Sequence, residues 1–173
     1  MMHLILGGAR SGKSRYAESL LNNYQHVTYV ATATGGDDEM RERIQHHQQS
    51  RPDHWQLIEE PFYLSRQLES ITDDQVLIID CMTLWLSNWL CSHDDTSWQE
   101  EKSLFINALL KRQQPVFIVS NEVGSGVIPM GELSRQFVDQ AGWLNQALSQ
   151  VADKVTLVVA GCPLSIKPGV EAL

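Results

Sequence analysis

The chain has 173 residues, 43% of them hydrophobic and 20% charged, which is the balance of one ordinary globular domain rather than of a disordered or fibrous chain. With 13 Lys and Arg against 21 Asp and Glu, its formal net charge is −8. Such a chain repels nucleic acid and anionic lipid on average, so no nucleic-acid partner is expected. A polyanionic ligand has to be held by a local cationic device.

The opening residues Met1-Met2-His3-Leu4-Ile5-Leu6-Gly7 lack the charged and long apolar regions of a secretory leader. The apolar stretches at 76–79, 84–90 and 155–160 fall well short of the roughly 20 residues a bilayer span needs. No membrane insertion is expected. Cys81, Cys91 and Cys162 are odd in number and far apart, which argues against a disulfide scaffold or a cysteine-built zinc site. A soluble cytoplasmic protein is the expectation.

In chain order, short Val- and Ile-rich runs at 4–6, 27–31, 76–79 and 116–119 read as strands buried on both faces of a parallel sheet. Residues 155–160 supply a fifth strand and 55–58 a weaker sixth. Helical patterns lie between them at 13–21, 37–49, 97–112 and 132–152. The third opens with Ser97 and Glu100 in capping-box spacing. Residues 92–97 read as a surface loop, and 167–169 as a frayed end. Alternating strands and helices predict an α/β fold, a mostly parallel central sheet flanked by helices, in a single domain spanning 1–173.

Gly7-Gly8-Ala9-Arg10-Ser11-Gly12-Lys13-Ser14 matches G-x-x-x-x-G-K-[ST] and lies directly between the first strand and the first helix. In that context the motif is a phosphate-binding loop, whose successive N–H groups and helix N-terminus face phosphate oxygens. Lys13 would reach the β- and γ-phosphates, and the Ser14 hydroxyl would ligate Mg²⁺. This is the cationic device that the net charge requires. The run Val76-Leu77-Ile78-Ile79-Asp80 ends a buried strand in a carboxylate, the usual companion that holds Mg²⁺ through water.

The segment 37–52 carries a histidine doublet. On a helix, Met40, Ile44 and His47 share one stripe, while His46 points about 100° away beside Glu39 and Arg43. The stripe faces the protein body, so His47 looks inward. A neutral imidazole is a competent nucleophile toward phosphorus, and Arg43 and Arg51 could clamp phosphates. A packing histidine on a solvated helix explains the same residues.

Together these segments resemble the bifunctional adenosylcobinamide kinase / adenosylcobinamide-phosphate guanylyltransferase family of cobalamin assembly. The resemblance runs from the phosphate loop and Arg15 through Tyr29-Val30-Ala31-Thr32-Ala33 and Asp37-Asp38-Glu39-Met40. It continues through Arg43-Ile44, His47, Arg51-Pro52, Trp55 and Glu59, then residues 77–80 and Ser120-Asn121-Glu122-Val123-Gly124-Ser125-Gly126-Val127-Ile128-Pro129. The fold expected is a P-loop NTPase of the RecA-like kind. What the resemblance implies is phosphorylation of adenosylcobinamide by ATP or GTP. Transfer of GMP from GTP onto adenosylcobinamide phosphate follows, through a guanylyl-histidine.

The family's Arg-Ile-x-x-His-x-x-x-Arg falls on Arg43, Ile44, His47 and Arg51, making His47 the implied nucleophile and His46 the alternative. Its nucleotide-site positions fall on Thr32, Ala33, Thr34, Gln48, Gln49, Ser50, Arg51, Glu59 and Asp80, with Glu59 able to read the guanine edge. The resemblance also implies a homotrimer, and the apolar run 84–90, with Trp85 and Trp89, is read as a subunit contact in preference to core or a cobinamide-facing surface. A simple small-molecule kinase and a nucleotide-gated switch are the rival readings. Neither has a use for a histidine nucleophile.

Overall fold

The computed structural model describes residues 1–33, 52, 54–92, 95–127 and 129–168. Seven strands form one sheet: β1 (Met2–Gly7), β2 (Val27–Ala31), β3 (Gln56–Glu59), β4 (Val76–Asp80), β5 (Val116–Asn121), β6 (Lys154–Val159) and β7 (Cys162–Lys167). The described helices are α1 (Lys13–Ser19), α2 (Leu64–Ser70), α3 (Met82–Ser92), α4 (Asp95–Lys111) and α5 (Glu132–Val151). The strand order is β3-β2-β4-β5-β1-β6-β7. All pairings are parallel except β6 with β7. The α/β architecture read from the sequence is the one observed.

The continuous apolar runs form strands because each buries both faces. Leu4, Leu77, Ile79 and Ile118 face a core built with α2, α3, α4 and α5. Their neighbours Ile5, Ile78, Phe117 and Val119 face a smaller core with Ala17 of α1. One sheet face therefore carries four of the described helices and the other carries α1.

Several sequence expectations require correction. The run 84–90 is the middle of α3, and Trp85 and Trp89 are buried core residues rather than a subunit contact. Both indole N–H groups donate to the Phe62 carbonyl, at 2.7 and 3.0 Å, and the Trp85 ring lies 4.9 Å from those of Trp98 and Phe105. A helix enclosed by the sheet and other helices has no polar face to show. Helix α4 begins at Asp95, two residues before the expected cap, so Ser97 lies within the helix. Of the expected loop 92–97, Ser92 ends α3, 95–97 open α4, and 93–94 lie outside the described residues. Helix α2 was not legible as a separate pattern. Its N-terminus is held by Glu101 of α4, which accepts from the Ser65 N–H and hydroxyl at 2.9 Å each. Burial raises the Glu101 pKa above the ordinary carboxylate value. The expected helix 37–49 lies outside the described residues.

The chain end is not frayed at Lys167. It closes an antiparallel hairpin through Ala160 and Gly161, with φ of 50° and 80°, the two positive values that a tight two-residue turn needs. Lys167 Nζ then donates to the carbonyls of Ser149 and Ala152, at 3.2 and 2.5 Å, capping the C-terminus of α5.

His3 of β1 is buried, and its Nε2 shares a 2.8 Å hydrogen bond with Thr156 Oγ1. Burial, with a smaller contribution from the charge of Lys154, pushes its pKa down from 6.5 to about 4. Between those values the unfolded chain binds a proton that the fold refuses, so the contribution of His3 to stability is lost as pH falls through that window. His3→Gln should flatten the decline of Tm from pH 7 to 4, followed by circular dichroism. Parallel curves for the two proteins would refute this account.

Candidate active site

The loop between β1 and α1 is shaped by backbone constraints. Arg10 and Gly12 have φ of 56° and 92°, in the left-handed region. At Gly7 a Cβ would lie 2.4 Å from Ser11 Oγ and 2.7 Å from the Val158 carbonyl, so no larger residue fits without movement. Nothing lies within 4 Å of a Cβ built at Gly8. The strand-to-helix context that the motif demands is thus present.

The loop is gripped from both sides. The Glu122 N–H, just beyond β5, donates to the Gly7 carbonyl at 3.0 Å, and the Gly161 N–H of the β6–β7 turn donates to the Ser11 carbonyl at 2.8 Å. Lys13 is buried and its Nζ reaches back to the Gly8 carbonyl at 3.1 Å. The role of Gly161 was missed from the sequence. Its only signal is a glycine after an apolar run, which marks a turn but not what the turn touches.

Asp80 ends β4 on the same sheet face as Val76 and Ile78, the face that carries α1. Its Oδ2 accepts a 2.8 Å hydrogen bond from the Tyr29 hydroxyl, which fixes the carboxylate. Two strand spacings of about 4.8 Å separate the lines of β4 and β1, a lateral distance of about 10 Å. Ser14, in the first turn of α1, and Asp80 together offer the hard oxygen donors that suit Mg²⁺. Among the described residues there is no cluster of three or more His, Cys, Asp or Glu suited to a metal.

Thr32 braces the ends of two strands. It is fully buried, and its hydroxyl donates to the Cys81 carbonyl at 2.7 Å while accepting from the Cys81 N–H at 2.9 Å. Its hydroxyl ties the end of β2 to the end of β4. Cys81 itself is buried, which raises its thiol pKa to about 11 and keeps it a neutral packing group. Ala33 follows, half-buried. Glu59 stands exposed at the end of β3, and among the described residues its carboxylate has no partner. Its neighbour Glu60 is committed to the N–H groups of Phe62 and Tyr63, both at 2.8 Å. Thr34, His46, His47, Gln48, Gln49, Ser50 and Arg51 lie outside the described residues.

With this geometry in place, likeness to known proteins becomes informative. The profile of the family described as cobinamide kinase / cobinamide phosphate guanyltransferase matches residues 3–166. The chain belongs to this family. It is 46% identical over 169 residues to the bifunctional adenosylcobalamin biosynthesis protein CobP of Pseudomonas aeruginosa, covering 96% of this chain and 98% of that one. It is 39% identical over 181 residues to the corresponding CobU of Escherichia coli K12, covering 96% and 100%.

Solved structures extend the likeness to fold alone. A Pyrococcus horikoshii OT3 protein aligns with a TM-score of 0.56 at 9% identity, over 96% of this chain and 86% of that one. The RadB recombinase aligns at 0.50 and 16%, over 90% and 73%. An ATPase of a bacterial type III secretion system aligns at 0.55 and 10%, over 95% and 56%. This family member is therefore built on the P-loop NTPase fold. No helix among its described residues is long and apolar enough to cross a membrane.

The two glycines differ in what surrounds them, and their substitutions should differ accordingly. Gly7→Ala forces contact with a backbone carbonyl, an overpacking cost of about 1–3 kcal/mol. At about 2–4 °C per kcal/mol for a chain of this size, a clear drop in Tm follows. Gly8→Ala meets open space and should leave Tm within about 1 °C. Equal thermal shifts for the two variants would count against the packing described at Gly7.

Proposed function

We propose that the protein is a bifunctional enzyme of cobalamin biosynthesis. It phosphorylates the hydroxyl of adenosylcobinamide with ATP or GTP, then transfers GMP from GTP to the resulting phosphate, giving adenosylcobinamide-GDP. The observation that carries this reading is a complete phosphate loop, braced on both sides, within a chain that matches the family from residue 3 to residue 166.

In the kinase step, the substrate oxygen attacks the γ-phosphorus, the bond to the β-phosphate oxygen breaks, and the nucleoside diphosphate leaves while the hydroxyl proton passes to water. The loop of Gly7, Gly8, Ala9, Arg10, Ser11 and Gly12 holds the phosphates, Ser11 by shaping it through its N–H bond to the Gly8 carbonyl, and Lys13 neutralises charge that grows on the leaving oxygens. Ser14 and Asp80 would hold Mg²⁺, which supplies charge neutralisation across the phosphates when bound.

In the transfer step, the His47 imidazole attacks the α-phosphorus of GTP and pyrophosphate leaves. An oxygen of adenosylcobinamide phosphate then attacks the guanylyl phosphorus, the P–N bond breaks, and His47 is regenerated. His46 is the alternative nucleophile. Thr32, Ala33, Thr34, Gln48, Gln49, Ser50 and Arg51 line the nucleotide.

Glu59 reads the guanine edge, accepting from N1–H and the exocyclic amine, a pair of donors that adenine lacks. Its position supports this. Four strand spacings of about 4.8 Å put the line of β3 about 19 Å to the side of β1, toward the base end of a nucleotide whose phosphates lie on the loop.

The protein works in the cytoplasm as a homotrimer. Exposed Val159, Leu164 and Ile166 on the terminal hairpin support association between copies, since apolar side chains at a sheet edge gain from being covered.

Intact-mass spectrometry after incubation with GTP and Mg²⁺ tests the covalent step. The wild-type chain should gain one GMP, the adduct should be acid-labile, and His47→Ala should abolish it while His46→Ala retains it. Loss in His46→Ala alone would transfer the role to His46. No adduct in a protein that binds GTP would remove the guanylyl-histidine from the mechanism.

A further inference from the structure

A second concavity, of about 450 Å³, lies between α3, the segment that follows β5, and the first turns of α5. Leu90, Val123, Pro129, Leu133 and Phe137 give it apolar walls, and Ser87 and Ser134 add two hydroxyls. None of the described residues that line it is charged. Beside it, Val127 is 98% and Met130 95% exposed, so two large apolar side chains stand in solvent on the same segment.

Its position relates it to the phosphate loop. Asn121 is the register partner of Gly7, the Glu122 N–H donates to the Gly7 carbonyl at 3.0 Å, and Val123 already lines the concavity. Glu122 Oε1 accepts from the Gly124 N–H at 2.8 Å and from Ser125 Oγ at 3.3 Å, which folds the segment back toward α5. The groove therefore opens one residue away from the loop.

We propose that this groove is the acceptor subsite, holding one edge of the corrinoid macrocycle while its hydroxyl-bearing arm lies over the phosphate loop. The inference rests on the function proposed above and adds where the second substrate sits. Charge selects the occupant. A nucleotide or other anion would be held by cations, and the described lining residues include none. A broad macrocycle with apolar faces and neutral carboxamide arms matches apolar walls interrupted by two serine hydroxyls. Volume selects the mode, because the cavity is too small for the whole molecule and takes an edge, with Val127 and Met130 covering the face beside it. Proximity selects the role, because in-line transfer needs the acceptor oxygen within about 3–3.5 Å of the γ-phosphorus.

The test uses Val127→Glu and Met130→Glu in the full chain. Both positions are exposed, so neither change disturbs the core. Initial rates with adenosylcobinamide at saturating GTP should show its KM raised at least about tenfold in each variant. The Kd for a non-hydrolysable GTP analogue should change by less than about twofold, and the mass from light scattering should stay that of the wild type. An unchanged KM overturns the proposal. So does a fall in assembly mass with KM unaltered, which would make the groove a contact between copies. Weakened analogue binding in parallel with KM would overturn it too, assigning the segment to the nucleotide. If the wild-type protein binds GTP and phosphorylates no adenosylcobinamide, the proposed function itself fails, an outcome distinct from all of these.

Discussion

The accounting of carbonyl groups in the phosphate loop is the constraint on which the rest of the site depends. A loop can present N–H groups to an anion only if its carbonyls are satisfied elsewhere. Here the Gly7 carbonyl accepts from Glu122, that of Gly8 from Ser11 and Lys13, that of Ser11 from Gly161, and that of Gly12 from Tyr16. The donors come from β5's end, the β6–β7 turn, α1 and the loop itself. A phosphate site in an acidic chain is thus assembled from the strands on either side of β1, and the overall charge of −8 is offset only locally. The donors that remain are those of the loop and the first turn of α1, where a helix leaves N–H groups without internal partners.

The order of strands converts this local device into a linear site. Moving along the carboxyl edge from β1 through β5, β4 and β2 to β3, one meets the loop, then Asp80, then the Thr32–Cys81 brace, then Glu59. A nucleotide is itself a linear array of phosphates, sugar and base. Parallel pairing puts every strand end on one edge, so a single ligand can be read by residues distant in sequence. The brace explains why that edge can be exact without being polar throughout. Thr32 satisfies the Cys81 N–H and carbonyl at once, and Asn88 Nδ2 donates to the Thr32 carbonyl at 2.8 Å, so the crossing of β2 and β4 carries no unmet backbone group there.

How much of this was legible in the sequence follows from which signals are local. The phosphate loop is read from eight consecutive residues, because its function lies in backbone conformations that only particular residues permit. The central strands are legible because burial on both faces leaves an uninterrupted apolar run. Strand β7 was not, since all its residues are exposed and Pro163 and Lys167 disguise the alternation of Leu164 and Ile166. The part of Thr32 in the brace was not legible, because a hydroxyl at a strand's end looks the same whether it faces a ligand or a neighbouring backbone. Trp85 and Trp89 were misplaced for the opposite reason. A helix apolar on every side signals burial, but sequence alone does not say whether the cover is the same chain or another.

Two buried polar atoms give the site its energetic character. Ser11 Oγ and Asn121 Oδ1 have no hydrogen-bond partner, although Asn121 Nδ2 donates to Thr83 Oγ1 at 2.8 Å. Ser11 belongs to the loop, and Asn121 sits beside Gly7 across the β1–β5 pairing. A buried polar atom left unsatisfied costs about 1–3 kcal/mol, and two such atoms lie next to the first residue of the loop. Other buried polar groups are paired, as Trp98 is by donating to Gln140 and Ser120 by donating to Asn145. Both atoms gather on Gly7: a Cβ built there would lie 2.4 Å from Ser11 Oγ, and Asn121 is its register partner on β5, so the residue that opens the loop is fixed by packing on one side and by strand pairing on the other.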